Sequence, residues 1–143
     1  MIKFRHAFGA IGAVLVVHAF ALGFDWYRAI YWFDIPMHYF GGFAIAILAF
    51  ALWNWIMSHI EIQSRGKKSN PYATLVLQAV FVLGFVMIIG VAWEWYEFLC
   101  DQYATIIVRE FGFAQMGISD TMDDLVNDTL GAITAFILWR NRS

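Results

Sequence analysis

Apolar positions run along this chain in four long blocks, not in the alternating or one-faced patterns of a soluble fold. Ala7 to Phe24 carries no charge and only His18 as a strongly polar group. Met37 to Met57 has no formal charge after His38. Tyr72 to Trp93 is apolar except for Gln78, and its helical pattern continues through Glu94, Glu97 and Cys100. Met122 to Trp139 is the shortest block and opens with Asp123, Asp124 and Asp128. A spanning helix needs about 20 mostly apolar residues. The pattern therefore predicts an all-α membrane protein, one integral domain over residues 1–143, with a bundle of four transmembrane helices at 7–24, 37–57, 72–100 and 122–139.

The connections differ in character. Ser58–Pro71 is polar and basic and closes on Asn-Pro, which reads as a cytoplasmic loop. Asp25–Ile35 is rich in aromatics. Gln102–Ile118 places Tyr103, Ile106, Ile107 and Phe111 at helical spacing, opposite Arg109 and Glu110. Both are expected to form short interfacial helical segments on the outer side. Small residues at Gly9, Gly12 and Ala13, and at Gly42, Ala46 and Ala49, are expected to let the first two helices approach closely. The start, MIKFRH followed by an apolar run and Ala19-Phe20-Ala21, imitates a signal peptide, but the run is long for one and is read as a mature helix.

Composition changes this picture little. The 143 residues are 62% hydrophobic, 19% aromatic and 14% charged, against about 45–50% apolar and about a quarter charged in a soluble domain. A single cysteine, nine Lys+Arg and a pI near 6.0 exclude a disulfide-stapled mini-protein and a basic nucleic-acid binder. Charge placement adds more. With four crossings and a cytoplasmic N-terminus, Lys3, Arg5, Arg65, Lys67, Lys68, Arg140 and Arg142 fall inside, and only Arg28 and Arg109 fall outside. That is the positive-inside bias expected in a bacterial inner (plasma) membrane, with both termini cytoplasmic. The same topology sends every carboxylate but Glu61 to the outer side.

These acids fall on helix faces. Asp34 and His38 stand one turn apart, with Pro36 in the first turn where its missing N–H is harmless. Glu94, Glu97 and Asp101 share a face, as do Asp120, Asp124 and Asp128, with Gly131 continuing that stripe. Asp128 falls in the apolar zone, where an ionisable group is a functional candidate by default. Like charges crowded in low dielectric must take up protons, pair with cations or bind a metal. Carboxylates with histidine suit hard or borderline divalent ions, so a divalent metal ion is the expected cofactor. Asp34, His38, Glu94, Asp124 and Asp128 are the candidate ligands, with Glu97 and Asp120 as candidate catalytic bases. Helix capping is the competing role for Asp120 and Asp123, Asp25, Asp101 and Glu110 are expected to be solvated, and His18 is expected to be a hydrogen-bonded packing residue. The Glu-x-x-His pair of di-iron bundles is absent.

Three strings in order, Asp34-Ile-Pro-Met-His38 with Gly41-Gly42, Trp93-Glu94-x-x-Glu97, and Asp120-Thr121-x-x-Asp124-Leu125-x-x-Asp128-x-x-Gly131-Ala132, resemble the VanZ-like/YjdF-type small bacterial membrane proteins. Asp128 stands where many of those proteins have Asn. The resemblance implies a multi-pass plasma-membrane protein and brings little mechanism. The leading expectation is a cation site at the extracytoplasmic leaflet, with membrane lipids as partners. If the protein is an enzyme, the chemistry expected is metal-dependent hydrolysis or transfer on a lipid or lipid-linked substrate. Proton or cation translocation and a non-catalytic subunit or scaffold are the alternatives, and an oligomer or larger complex is left open.

Overall fold

The computed structural model describes residues 2–63, 70–104 and 114–140. Among the described residues five helices follow one another, α1 (Phe4–Gly23), α2 (Trp26–Ala29), α3 (Asp34–Gln63), α4 (Pro71–Tyr103) and α5 (Ile118–Trp139), and there is no strand. At 1.5 Å per residue α3 and α4 are about 45 and 50 Å long, more than the hydrocarbon core of about 30 Å. Among the described residues three helices, α1, α3 and α4, are long and apolar enough to cross a membrane. The fourth long helix, α5, carries Asp120, Asp123, Asp124 and Asp128 in its first half, which keeps it outside that class.

Local chemistry sets the helix starts. The Asn70 side chain accepts the Tyr72 N–H at 3.0 Å and Pro71 occupies the first position of α4, where it lacks only an N–H that would be unpaired anyway. Gly117 precedes α5 with φ +107°, a backbone conformation that suits glycine. Asp120 does not cap α5. As its third residue it reaches back and accepts the Met116 N–H at 2.8 Å. Of the aromatic segment after α1, only the four residues of α2 are helical between Asp25 and Phe33.

α3 is the central helix, packed most extensively on α5 and also against α1 and α4. The α3–α5 seam is built on glycine. A Cβ on Gly42 would overlap the Asp128 carbonyl oxygen, and one on Gly131 would overlap that of Tyr39. The two backbones therefore touch, as small residues allow between membrane helices. Beyond this seam, Ala46, Ala49, Phe50, Val82, Val86, Ala132 and Ala135 form the buried apolar core. Tyr39 donates to Thr134 Oγ1 at 2.9 Å across the same interface.

The small residues of α1 behave otherwise than expected. A Cβ at Gly9 or Gly12 would meet nothing within 4 Å among the described residues, and Ala13 is exposed. α3 spends its own small face on α5, and the buried alanines of α1 are Ala7 and Ala21. Arg65, Lys67, Lys68 and Arg142, and the amphipathic stretch with Ile106, Ile107, Arg109, Glu110 and Phe111, lie outside the described residues, as does the side chain of Glu61.

Candidate metal centre

The start of α3, the last third of α4 and the first half of α5 meet at one end of the molecule. His38 is at the middle of this junction and is buried. Its Nε2 lies 3.7 Å from Asp34 Oδ1, one turn earlier on α3, and 3.7 Å from Asp124 Oδ1 on α5. Two ligands each about 2.1 Å from one ion stand at most about 4.2 Å apart, so both separations fit a shared cation. Asp34, His38 and Asp124 each offer a ligand atom within 4.8 Å of the others, as do His38, Glu94 and Glu97.

Asp128 sits on the other side of the imidazole, with Oδ1 3.6 Å from His38 Nδ1. That position suits a carboxylate that orients a ligating histidine better than one that shares its ion. Gly90 makes room for it: a Cβ there would lie 2.6 Å from Asp128 Oδ2 and 3.2 Å from Leu125 Cδ2.

Hydrogen bonding accounts for only part of the cluster. Trp93 Nε1 donates to Glu97 Oε1 at 2.7 Å. Gln115 donates through Nε2 to Thr121 Oγ1 at 2.9 Å and to Glu94 Oε2 at 3.4 Å. Glu94 is 4% exposed and Asp124 3%, yet Glu94 Oε1 and Asp124 Oδ2 have no hydrogen-bond partner among the described residues. A buried polar atom without a partner is costly and calls for an ion, a proton or a water.

Six of the seven predicted site residues thus come together: Asp34, His38, Glu94, Glu97, Asp124 and Asp128. The seventh, Asp120, is directed to the Met116 backbone and belongs to neither group of converging ligand atoms. Asp101, expected to be solvated, instead accepts the N–H groups of Ala114 and Gln115 at 2.9 and 2.8 Å. It anchors the segment that presents Gln115. Neither Asp101 in that role nor Gln115 is legible in the sequence, because residues 114–117 are irregular and their partners are set by tertiary contact.

A family model described as a predicted membrane protein matches residues 4–142. The chain belongs to that family, DUF2238. An uncharacterized protein of Thermotoga maritima is 31% identical over 120 residues, which is 83% of this chain and 54% of that protein. The chain thus spans about half the length of this relative. No solved structure matches it.

Around the metal-binding candidates, this DUF2238 protein adds a second polar pair. His18 Nδ1 on α1 and the Tyr27 hydroxyl on α2 share a 2.7 Å hydrogen bond, and the His18 ring meets Trp93 edge-on with centroids 5.6 Å apart. Burial, then the nearby Asp34 and Glu97 carboxylates, push the Tyr27 phenol above its ordinary range, so it stays a neutral hydroxyl. His18, Tyr27, Asp34, His38, Glu97 and Asp128 all line one cavity of about 150 Å³ between α1, α3 and α4.

Proposed function

We propose that this protein holds a divalent cation within the membrane, with Asp34, His38 and Asp124 as ligands, Glu94 beside them and Asp128 orienting His38. The observation that carries this reading is the pair of buried carboxylate oxygens, Glu94 Oε1 and Asp124 Oδ2, left without hydrogen-bond partners among the described residues. A hard cation neutralises such a cluster and satisfies its oxygens together. Glu97 lies at the site as a general-base candidate for metal-assisted hydrolysis or transfer on a lipid, whereas Asp120 is engaged elsewhere. The likeness to VanZ-like/YjdF-type proteins extends, in this reading, to the residues of the site.

In the same reading α5 is the fourth crossing. It is inside-out relative to a soluble helix: Asp124, Asp128, Gly131, Ala132 and Ala135 are buried, while Val126, Leu130, Ile133 and Ile137 are exposed. An apolar outer face with ionisable groups turned inward is the arrangement membrane helices adopt. Four crossings bring Lys3, Arg5 and Arg140 to one side, the cytoplasmic one by the positive-inside rule, and the cluster to the opposite leaflet. Translocation is less favoured, because the core next to the cluster is alanine, phenylalanine and valine.

Elemental analysis of the purified protein, with Mn²⁺ titration by calorimetry, tests the cation. About one ion per chain is expected, lost in His38→Gln and in Asp124→Asn. Equal Mn²⁺ binding by wild type and both variants would refute the assignment.

A further inference from the structure

We infer that the cavity beside His38 is a lipid site, which takes one hydrocarbon chain of a phosphate-headed lipid and holds the phosphate through the cation at Asp34, His38 and Asp124, reached from the cavity past its lining residues Asp34 and His38. The inference rests on the cation reading above. Its independent support is the shape and lining of the cavity, which is polar at one end and apolar along the rest. Asp34, His38, Glu97 and Asp128 line the polar end together with the His18–Tyr27 pair, and the apolar walls include Val14 and Leu15 of α1, Ile45 of α3, and Val86 and Ile89 of α4.

Length, access and charge agree on the occupant. From Asp34 to Ile45 along α3 the lining covers about 16 Å at 1.5 Å per residue. One leaflet of a hydrocarbon core about 30 Å thick is about 15 Å deep. α1 packs chiefly on α3, and Leu15 and Ile89, which line the cavity from α1 and α4, are both exposed residues. The cavity therefore opens sideways between α1 and α4, towards lipid. A free phosphate would leave the apolar stretch unfilled, and a neutral glyceride would leave the polar end unmatched. Five carboxylates repel a bare phosphate, but a hard divalent ion held by one or two carboxylates completes its coordination with phosphate oxygens.

The test uses the full chain in maltoside micelles, with bound probe read by native mass spectrometry and Mn²⁺ affinity measured alongside. The probes are lysophosphatidate, monoacylglycerol with the same chain, inorganic phosphate and an alkyltrimethylammonium. Lysophosphatidate should be retained with Mn²⁺, lost with chelator, and preferred over the other three. Val14→Trp and Ile89→Trp, which fill the apolar stretch from two different helices, should weaken lysophosphatidate about 200-fold, the effect of excluding about four methylenes. Both should leave Mn²⁺ affinity unchanged, which also shows that the variants fold. Val17→Trp on α1, outside the lining, should change neither. Retention by the filled variants equal to wild type, or equal retention of monoacylglycerol, overturns the lipid site. Binding that persists in chelator, or preference for the alkylammonium, overturns the cation-bridged phosphate in favour of direct carboxylate–ammonium pairing. If Mn²⁺ binds and lysophosphatidate does not, the lipid inference alone fails. If Mn²⁺ itself does not bind, the cation reading fails as well.

Discussion

Replacing Gly42 with alanine probes how closely α3 and α5 must approach for the cluster to exist. The added Cβ would overlap the Asp128 carbonyl oxygen and lie 2.6 Å from Asp128 Cα. Both are backbone atoms, so no side chain can rotate out of the way. Restoring an ordinary contact of 3.4 Å to that Cα alone requires the helices to part by roughly 0.8 Å, and clearing the nearer carbonyl oxygen requires more. Overpacking of this kind costs about 1–3 kcal/mol. The same displacement would carry Asp128 Oδ1 away from its 3.6 Å station on His38 Nδ1. Loss of an orienting carboxylate typically weakens a metal site by about 10–100-fold. Thermal unfolding in detergent, with and without Mn²⁺, measures both effects. Gly84→Ala is the control, because a Cβ there meets nothing within 4 Å among the described residues, and removing a helix-interior glycine should stabilise by about 0.5–1 kcal/mol. A Gly42→Ala protein as stable as Gly84→Ala, with undiminished Mn²⁺ affinity, would refute the close-contact account of the seam.

Three further outcomes follow from the site. Asp124→Asn should raise the melting temperature of the cation-free protein, because it removes a buried carboxylate with an unpartnered oxygen, while abolishing the stabilisation that Mn²⁺ gives to the wild type. Gln115→Leu should lower Mn²⁺ affinity by about 10-fold without changing the number of ions bound, since it frees Glu94 Oε2 and removes no ligand; calorimetry separates affinity from stoichiometry. Acidification should weaken Mn²⁺ binding, because ligating carboxylates and imidazole must be deprotonated, and binding should release protons that buffer-dependent heats will detect.

Much of the cluster was legible because one helical turn is a local relation. Asp34 with His38, Glu94 with Glu97, and Asp124 with Asp128 share faces whatever their neighbours do. Topology then brought these faces to one end of the molecule. What stayed hidden was the identity of partners across helices. Small residues in α1 and α3 looked complementary, but the glycines that touch are Gly42 against Asp128 and Gly131 against Tyr39. Nothing in the apolar run around Gly90 marks that glycine, and the nearness of the Asp128 carboxylate and of Leu125 explains it. Asp128 reads as a ligand by depth, and linear spacing does not say which imidazole nitrogen a carboxylate faces. The cavity depends on how far α1 stands from α4, a distance no single-helix pattern encodes.

Electron spin-echo modulation of Mn²⁺ bound to the purified protein tests the central claim most directly, because it detects nitrogen coordinated to the ion. The account predicts coupling to a histidine nitrogen in the wild type that disappears in His38→Gln, and bound Mn²⁺ without nitrogen coupling, or coupling that survives in His38→Gln, would contradict it.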